Sequence, residues 1–359
     1  MADGALAEIS ETVRAAAATR TPLEIRGAGT KAFYGGAIEG PPLATAALAG
    51  IVDYAPKELV VTARAGTPLA ALEQTMRGEG QMLAFEPPHF DDGGTLGGAI
   101  ATGLSGPRRP YCGAARDFVL GLRIVDGTGE ALSFGGRVMK NVAGFDVARL
   151  MTGALGTLGV ITEVSLKCLP LPRVEVTFWF ECDAAESIRR VNEWGGRPLP
   201  ITATCHHEGR LWVRLSGAEP AVVAAMRTLA GREDAGNASL WTTLRDHTHP
   251  FFTRARERGE PLWRLSVRGT APPADLTGAS LIEWSGALRW LAAPADADPA
   301  PIRAWAAAHG GHATLFRARQ KASGAFAPLD ATKLALHKRL KATFDPHGIF
   351  NRGRLYPDF

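Results

Sequence analysis

Three glycine-rich segments in the first half of the chain have the residue types needed to hold a phosphate-bearing cofactor. They are Arg26-Gly27-Ala28-Gly29-Thr30-Lys31, the run from Gly93 to Gly106, and Gly156-Thr157-Leu158-Gly159-Val160-Ile161. Glycine has no Cβ, so its backbone can approach a ligand closely and turn N–H groups toward phosphate oxygens. The common nucleotide fingerprints do not fit. No segment supplies the Gly-x-x-x-x-Gly-Lys-Ser/Thr of a P-loop. Gly27-Ala28-Gly29 begins like a Rossmann loop, but Ala32 stands where the last glycine belongs, which argues against NAD.

Other reactive residue types are sparse. The four cysteines, Cys112, Cys168, Cys182 and Cys205, are scattered without a Cys-x-x-Cys pair, so this chain alone is not expected to hold an iron–sulfur cluster. Cys205-His206-His207 suggests a metal site, but neighbouring strand residues point to opposite faces, and ordinary strand packing is the simpler reading. No metal is expected. The formal net charge of +4 is modest and the arginines are scattered, which gives no basic footprint for nucleic acid. Apolar residues make up 46% and charged residues 21%, a globular balance. No apolar run is long enough to cross a membrane, and acidic residues sit where a signal peptide would be basic. The expectation is a cytoplasmic protein, with any membrane association at the inner face and through partners.

The elements that must position the glycine segments can be read from periodicity and turn chemistry. Leu6, Ile9 and Val13 are spaced for an amphipathic helix over 4–19. Leu23 to Arg26 reads as a strand feeding the first segment, and Leu59 to Arg64 as another. Thr67-Pro68 opens a helix with Thr67 as N-cap. Phe118 to Val125 and Ala131 to Phe134 flank a hairpin turn at Asp126-Gly127-Thr128-Gly129. A helix follows Asp146, and Val160 to Leu169 is a strand. Beyond Pro170 and Pro172, strands over 174–181, 201–205, 211–215, 262–267 and 313–317 alternate with helices over 184–194, 219–230 and 302–309. This suits an α+β domain with an antiparallel sheet. A last helix spans 333–344.

In this setting the three segments resemble the FAD-binding domain of the vanillyl-alcohol oxidase (PCMH-type) flavoproteins. Glu86-Pro87-Pro88, the stretch Lys140-Asn141-Val142-Ala143-Gly144-Phe145-Asp146, and the tail Phe344-Asp345-Pro346-His347-Gly348-Ile349-Phe350-Asn351-Arg352-Gly353 match as well. The resemblance implies an α+β fold: a two-subdomain FAD-binding domain over 1–172, a smaller α+β cap over 173–325, and a C-terminal segment, 326–359, returning to the FAD domain. It implies that the first segment holds the FAD pyrophosphate, through Arg26, Gly27, Ala28, Gly29, Thr30 and Lys31. The second forms a wall, with Gly94, Thr95, Leu96, Gly97, Gly98, Ala101, Thr102, Ser105 and Gly106. The third, with Gly156, Gly159, Val160 and Ile161, meets the adenine and ribose end. Pro87, Lys140, Asn141 and Asn351 complete the expected contacts. Covalent members attach flavin through a His in or beside the first segment; Thr30 and Lys31 stand there, so FAD is expected to be non-covalent.

The resemblance also bears on the reaction. Members acting on 2-hydroxy acids commonly carry a His-x-Gly-x-Gly-Asn-x-His type motif, and this chain offers only His309-Gly310-Gly311-His312. A short cap with this tail is similar to the FAD-binding subunits of bacterial glycolate oxidases. That likeness implies oxidation of a small 2-hydroxy acid beside a larger flavoprotein subunit and an iron–sulfur subunit, with electrons passed onward. No catalytic residue is assigned. Two alternatives stay open. One is a stand-alone D-2-hydroxy acid dehydrogenase using Arg264, Arg289 or Arg317 for the carboxylate and His206, His207, His247 or His249 as base. The other is an assembly subunit without redox duty. The eight tryptophans, all beyond residue 178, read as core residues of the cap.

Overall fold

Apolar runs bounded by turn residues build the sheets, and each sheet then buries one or both faces. The computed structural model describes residues 2–91, 93–136, 146–234, 236–237, 239–357 and 359. The chain divides into two compact units: Met1–Ser105, Ala114–Leu171 and Pro328–Phe359 form the first; Gly106–Gly113 and Pro172–Ala327 form the second. Gly106–Gly113 thus groups with the second unit, although the sequence assigns it to the flavin-binding stretch.

The first unit holds a five-stranded antiparallel sheet in the order Ile51–Ala55, Val60–Arg64, Val160–Lys167, Val119–Val125, Ala131–Gly135. The central strand, Val160–Lys167, is buried at Val160, Ile161, Val164 and Leu166, and burial on both faces explains its almost continuous apolar sequence. Glu24–Arg26 pairs in parallel with Pro42–Ala44. The helix Ala2–Thr19 lays Ile9, Val13, Ala16 and Ala17, one face at helical spacing, against Leu23, Leu43, Val160, Ile349 and Phe350. A short helix, Leu96–Thr102, starts where Thr95 Oγ1 accepts the Gly98 N–H at 3.3 Å. It ends at Gly103, whose φ of 61° suits a left-handed C-cap. Thr67 does not cap the helix Leu69–Gly78 as expected; its hydroxyl is engaged with Gly50 N and O at 3.0 and 3.2 Å, and Pro68 takes the cap position.

The final helix, Ala331–Phe344, is held by a buried ion pair. Lys341 Nζ lies 2.7 Å from an Asp345 carboxylate oxygen and donates to the carbonyls of Thr157 at 2.8 Å and Phe350 at 2.7 Å. Asp345 in turn accepts the N–H groups of Ile349 and Phe350 at 3.0 and 2.8 Å. Burial pushes the Lys341 ammonium below its usual pKa, and the Asp345 charge opposes that shift. All three ammonium donors and both carboxylate oxygens are therefore used, the condition under which a buried pair is tolerable.

The second unit is an eight-stranded antiparallel sheet: Arg232–Glu233, Val174–Glu181, Arg210–Gly217, Ile201–His207, Ala279–Glu283, Leu288–Ala292, Leu262–Ser266, His312–Arg317. One face packs on helices. Phe178, Leu211, Val213 and Leu215 meet Ile201, Val191 and Val222, while Trp263, Leu265, Leu291 and Leu315 meet Ile302 and Ala306. The opposite face is rich in charge and indole. Arg108 reaches Glu175 at 2.7 Å and Ser216 at 2.9 Å, Arg264 lies over the Trp284 ring at 4.9 Å, and Glu283 accepts from Trp290 Nε1 at 2.8 Å. Trp263, Trp284, Trp290, Trp241 and Trp194 are buried.

Sequence reading misses the hairpin Ala279–Glu283 and Leu288–Ala292 and the helices Leu240–Arg245 and Pro250–Arg258. The hairpin turns through Trp284, Ser285 and Gly286, all at positive φ, and tryptophan is not a residue type that announces a turn. The second helix is capped by a histidine ring, with His249 Nδ1 accepting from Phe251 N at 3.3 Å.

Replacing Lys341→Met leaves Asp345 buried without its cation and should cost about 3–5 kcal/mol of stability, read as a lowered denaturant midpoint. Burial also lowers the pKa of His206, His247, His249 (to about 4) and His312. Their folded pKa values lie below the unfolded value of about 6.5, so the unfolded chain takes up more protons below that pH and stability falls from about pH 6.5 toward about 4. The melting temperature should drop over this range, and His247→Leu should flatten the drop.

Candidate functional site

The first glycine segment lies at the bottom of a groove in the first unit with about 570 Å³ of empty space, part of it open to solvent. Glu24–Arg26 ends at this segment. Ala28, Thr30 and Lys31 follow, with Gly29 at a φ of 77°, a conformation that favours glycine. Among the described residues, the backbone N–H groups of Gly27, Ala28, Gly29 and Thr30 meet no protein acceptor. Four successive amides with no acceptor among the described residues are the kind of donor set, a nest, that can bind an anion. Thr95 closes one side: a Cβ on Gly27 would lie 2.6 Å from Thr95 Oγ1, so a side chain there would push the second segment away.

Cations surround this nest. Arg26 folds its guanidinium onto Glu24 at 2.7 Å. Lys31 is buried, with Nζ 3.5 Å from Thr30 Oγ1 and from the His89 carbonyl. Arg354, which sequence reading leaves unassigned, donates to the carbonyls of Lys31, Ala32 and Gly36, each at 3.0 Å. Burial pushes its pKa down to about 10, so it stays charged at neutral pH.

Asn351 joins two segments. Its Oδ1 accepts the Ile25 N–H at 2.8 Å and its Nδ2 donates to the Leu155 carbonyl at 2.6 Å. Gly156, at a φ of 71°, is needed beside it, since a Cβ there would sit 2.7 Å from Asn351 Nδ2.

The expected contacts sort into groups. Arg26, Gly27, Ala28, Gly29, Thr30, Lys31, Thr95, Gly98, Ala101, Thr102 and Asn351 all line the groove, together with Ile25, Leu155 and Arg354. Gly94, Leu96 and Gly97 stand behind the wall. Leu96 is fully buried, and a Cβ on Gly97 would reach Ala65 Cβ at 2.7 Å, so that glycine serves the close approach of helix and strand. Pro87 is buried in an irregular stretch, and Ser105 Oγ accepts the Ala115 N–H at 3.1 Å. Gly106 lies in the second unit, where its carbonyl accepts from Trp284 Nε1 at 3.1 Å. Gly159, Val160 and Ile161 belong to the sheet core, and Leu155, the residue just before the third segment, is what lines the groove. Lys140 and Asn141 lie outside the described residues.

In the second unit the residues of the stand-alone reading divide: Arg264 and Arg317 lie close enough to His247 for their charges to add to burial in lowering its pKa, whereas Arg289 and the other three histidines are held elsewhere. Arg264 pairs in register with Trp290 and Arg289 with Leu265, which puts the two arginines on opposite faces of the sheet. Arg289 is buried on the helix-packed side and donates to the Ala271 carbonyl at 2.8 Å. His206 and His207 hydrogen-bond the carbonyls of Cys182 and Ser280, both at 3.0 Å, and His249 caps a helix. His247 stacks on Phe252 with centroids 3.9 Å apart. The pair Gly310-Gly311 turns the chain into the strand His312–Arg317, where any side chain on Gly311 would collide with the Ser266 carbonyl.

Comparison with known proteins gives this geometry its family. Residues 4–135 match the FAD binding domain model, and residues 319–355 match the C-terminal domain of FAD linked oxidases. The chain is 47% identical over 348 residues to glycolate oxidase subunit GlcE of Escherichia coli K12, covering 97% of this chain and 96% of that protein. About half of it also matches glycolate oxidase subunit GlcD of Bacillus subtilis at 32% identity, covering 36% of that protein. D-lactate dehydrogenase of Anaerostipes hadrus matches similarly, at 32% identity over 46% of this chain and 35% of that protein. An alkyldihydroxyacetonephosphate synthase structure shares the fold with a TM-score of 0.65, 15% identity, and coverage of 96% of this chain and 74% of that one. The chain belongs to the FAD-linked oxidase family, and within it to the group of glycolate oxidase subunit GlcE.

Proposed function

We propose that this chain is the FAD-carrying subunit of a multisubunit glycolate dehydrogenase, working with a larger flavoprotein subunit and an iron–sulfur subunit. The observation that carries the cofactor half is the run of four N–H groups at Gly27–Thr30 that meet no acceptor among the described residues, set beside Lys31 and Arg26 in a groove with glycines where side chains would clash. The donors suit a pyrophosphate: hydrogen bonds from fixed amides offset the loss of hydration, and nearby cations reduce charge repulsion between the phosphates. FAD, when bound, supplies two-electron acceptance from the carbon bearing a hydroxyl and onward one-electron transfer. The residues of this chain hold and orient it. Lys31 brings positive charge to the nest, Thr95 and Gly98 set the opposite wall, and Asn351 keeps Ile25 and Leu155 at a fixed separation.

The substrate and partners rest on similarity to the glycolate oxidase subunits. The partner-dependent reading is supported by Arg289 standing on the opposite face from Arg264 and by His206, His207 and His249 being taken up in backbone hydrogen bonds; of the stand-alone set, Arg264, Arg317 and the buried His247 lie together. The described groove residues include no histidine, cysteine or tyrosine to which flavin could be joined.

Purified chain is expected to absorb near 450 nm, roughly where oxidised flavins absorb, and to release all of its flavin as FAD on denaturation. Colourless protein that takes up no added FAD contradicts the cofactor reading, and flavin that stays on the denatured polypeptide contradicts the non-covalent one. With glycolate and an artificial acceptor, the isolated chain should turn over far below the ~1–10³ s⁻¹ typical of enzymes, while the complex purified from the native host reaches that range. Full activity in the isolated chain would refute partner dependence.

A further inference from the structure

We infer that Arg354 is a positioning residue for FAD: it holds the phosphate loop in its binding conformation by capping the loop's carbonyls, rather than by meeting the phosphates. The inference rests on the FAD reading above.

Two pins from one short stretch of chain frame the nest. On the entry side, Asn351 takes the Ile25 N–H at 2.8 Å. On the exit side, Arg354 takes the carbonyls of Lys31, Ala32 and Gly36 at 3.0 Å each. Between the pins lie Gly27 to Thr30, whose N–H groups have no acceptor among the described residues. A free loop with this composition would lose conformational entropy on binding, and fixing both ends beforehand removes much of that cost. The contact is reciprocal, because the Gly36 N–H donates back to the Arg354 carbonyl at 2.8 Å. It also excludes side chains: a Cβ on Gly35, at a φ of 92°, would lie 2.8 Å from the Arg354 carbonyl, and one on Gly36 would collide with the Gly353 carbonyl.

The fork of the guanidinium explains why arginine stands here. Nη1 serves Ala32 and Gly36 while Nη2 serves Lys31, so three acceptors on one turn are met from a single planar group. Lysine would keep the charge but offers its donors from one nitrogen. With 8% of its surface exposed and these nitrogens engaged with carbonyls, the side chain acts on the ligand through the loop.

The test titrates FAD into full-length chain freed of flavin, for wild type, Arg354→Gln and Arg354→Lys, at several salt concentrations, with the melting temperature of each apo form measured alongside. Positioning predicts a rise in Kd of about 10- to 100-fold for Arg354→Gln. It predicts that Arg354→Lys stays clearly weaker than wild type although its charge is kept, and that the salt dependence of Kd is the same in all three. Wild-type affinity in both variants overturns the inference. So does full recovery by Arg354→Lys with a shallower salt dependence in Arg354→Gln, since that pattern marks a direct charge contact with phosphate. If Arg354→Gln does not fold, Arg354→Lys decides between these outcomes alone. Failure of the wild type to bind FAD is seen without any variant and strikes the cofactor reading instead.

Discussion

The first unit depends on its C-terminal return being locked in place, and the lock is the buried pair Lys341–Asp345. Lys341 reaches from the last helix to Thr157, inside the third glycine segment, and to Phe350. Asp345 receives the N–H groups of Ile349 and Phe350, which shapes the turn that follows the helix. From there the chain runs beside Leu23: the Leu23 N–H meets the Ile349 carbonyl at 2.7 Å, and the Asn351 N–H meets the Leu23 carbonyl at 3.0 Å. Asn351 continues this pairing through its side chain to Ile25, and Arg354 closes it on the far side of the first glycine segment. A polar network this deep is stabilising only when each donor and acceptor is matched, which makes it sensitive to the loss of any one member.

This arrangement separates two kinds of glycine. At Gly29 and Gly156 the backbone needs a positive φ. At Gly27 and Gly97 the requirement is space, for Thr95 and Ala65 respectively. Only some of the glycine-rich sequence therefore faces the groove; the remainder lets strand, helix and loop approach closely enough to form it. The second unit is organised differently, with apolar side chains and helices on one sheet face and arginines, tryptophans and Glu283 on the other.

Much of this is legible in the sequence. The first segment reads as a candidate phosphate cradle from its glycines, while Thr95, Gly98 and Asn351 are reached through the likeness of the second segment and of the tail to a known family. What is not legible comes from contacts distant in the chain. Arg354 meets Lys31 across 323 residues, and no local spacing signals it. Val160 and Ile161 look like part of a glycine loop, but they begin the central strand, and burial in the sheet decides their place. The hairpin through Trp284, Ser285 and Gly286 escapes sequence reading because two of its turn residues take a positive φ that such side chains rarely adopt.

The central claim is that the amides of Gly27 to Thr30 are held ready for the pyrophosphate of FAD by the C-terminal return. Hydrogen–deuterium exchange of the full-length chain, resolved to those amides with and without FAD, tests it most directly. The account predicts rapid exchange in the flavin-free form and strong protection of these amides once FAD is bound. FAD binding that leaves their exchange unchanged would contradict it.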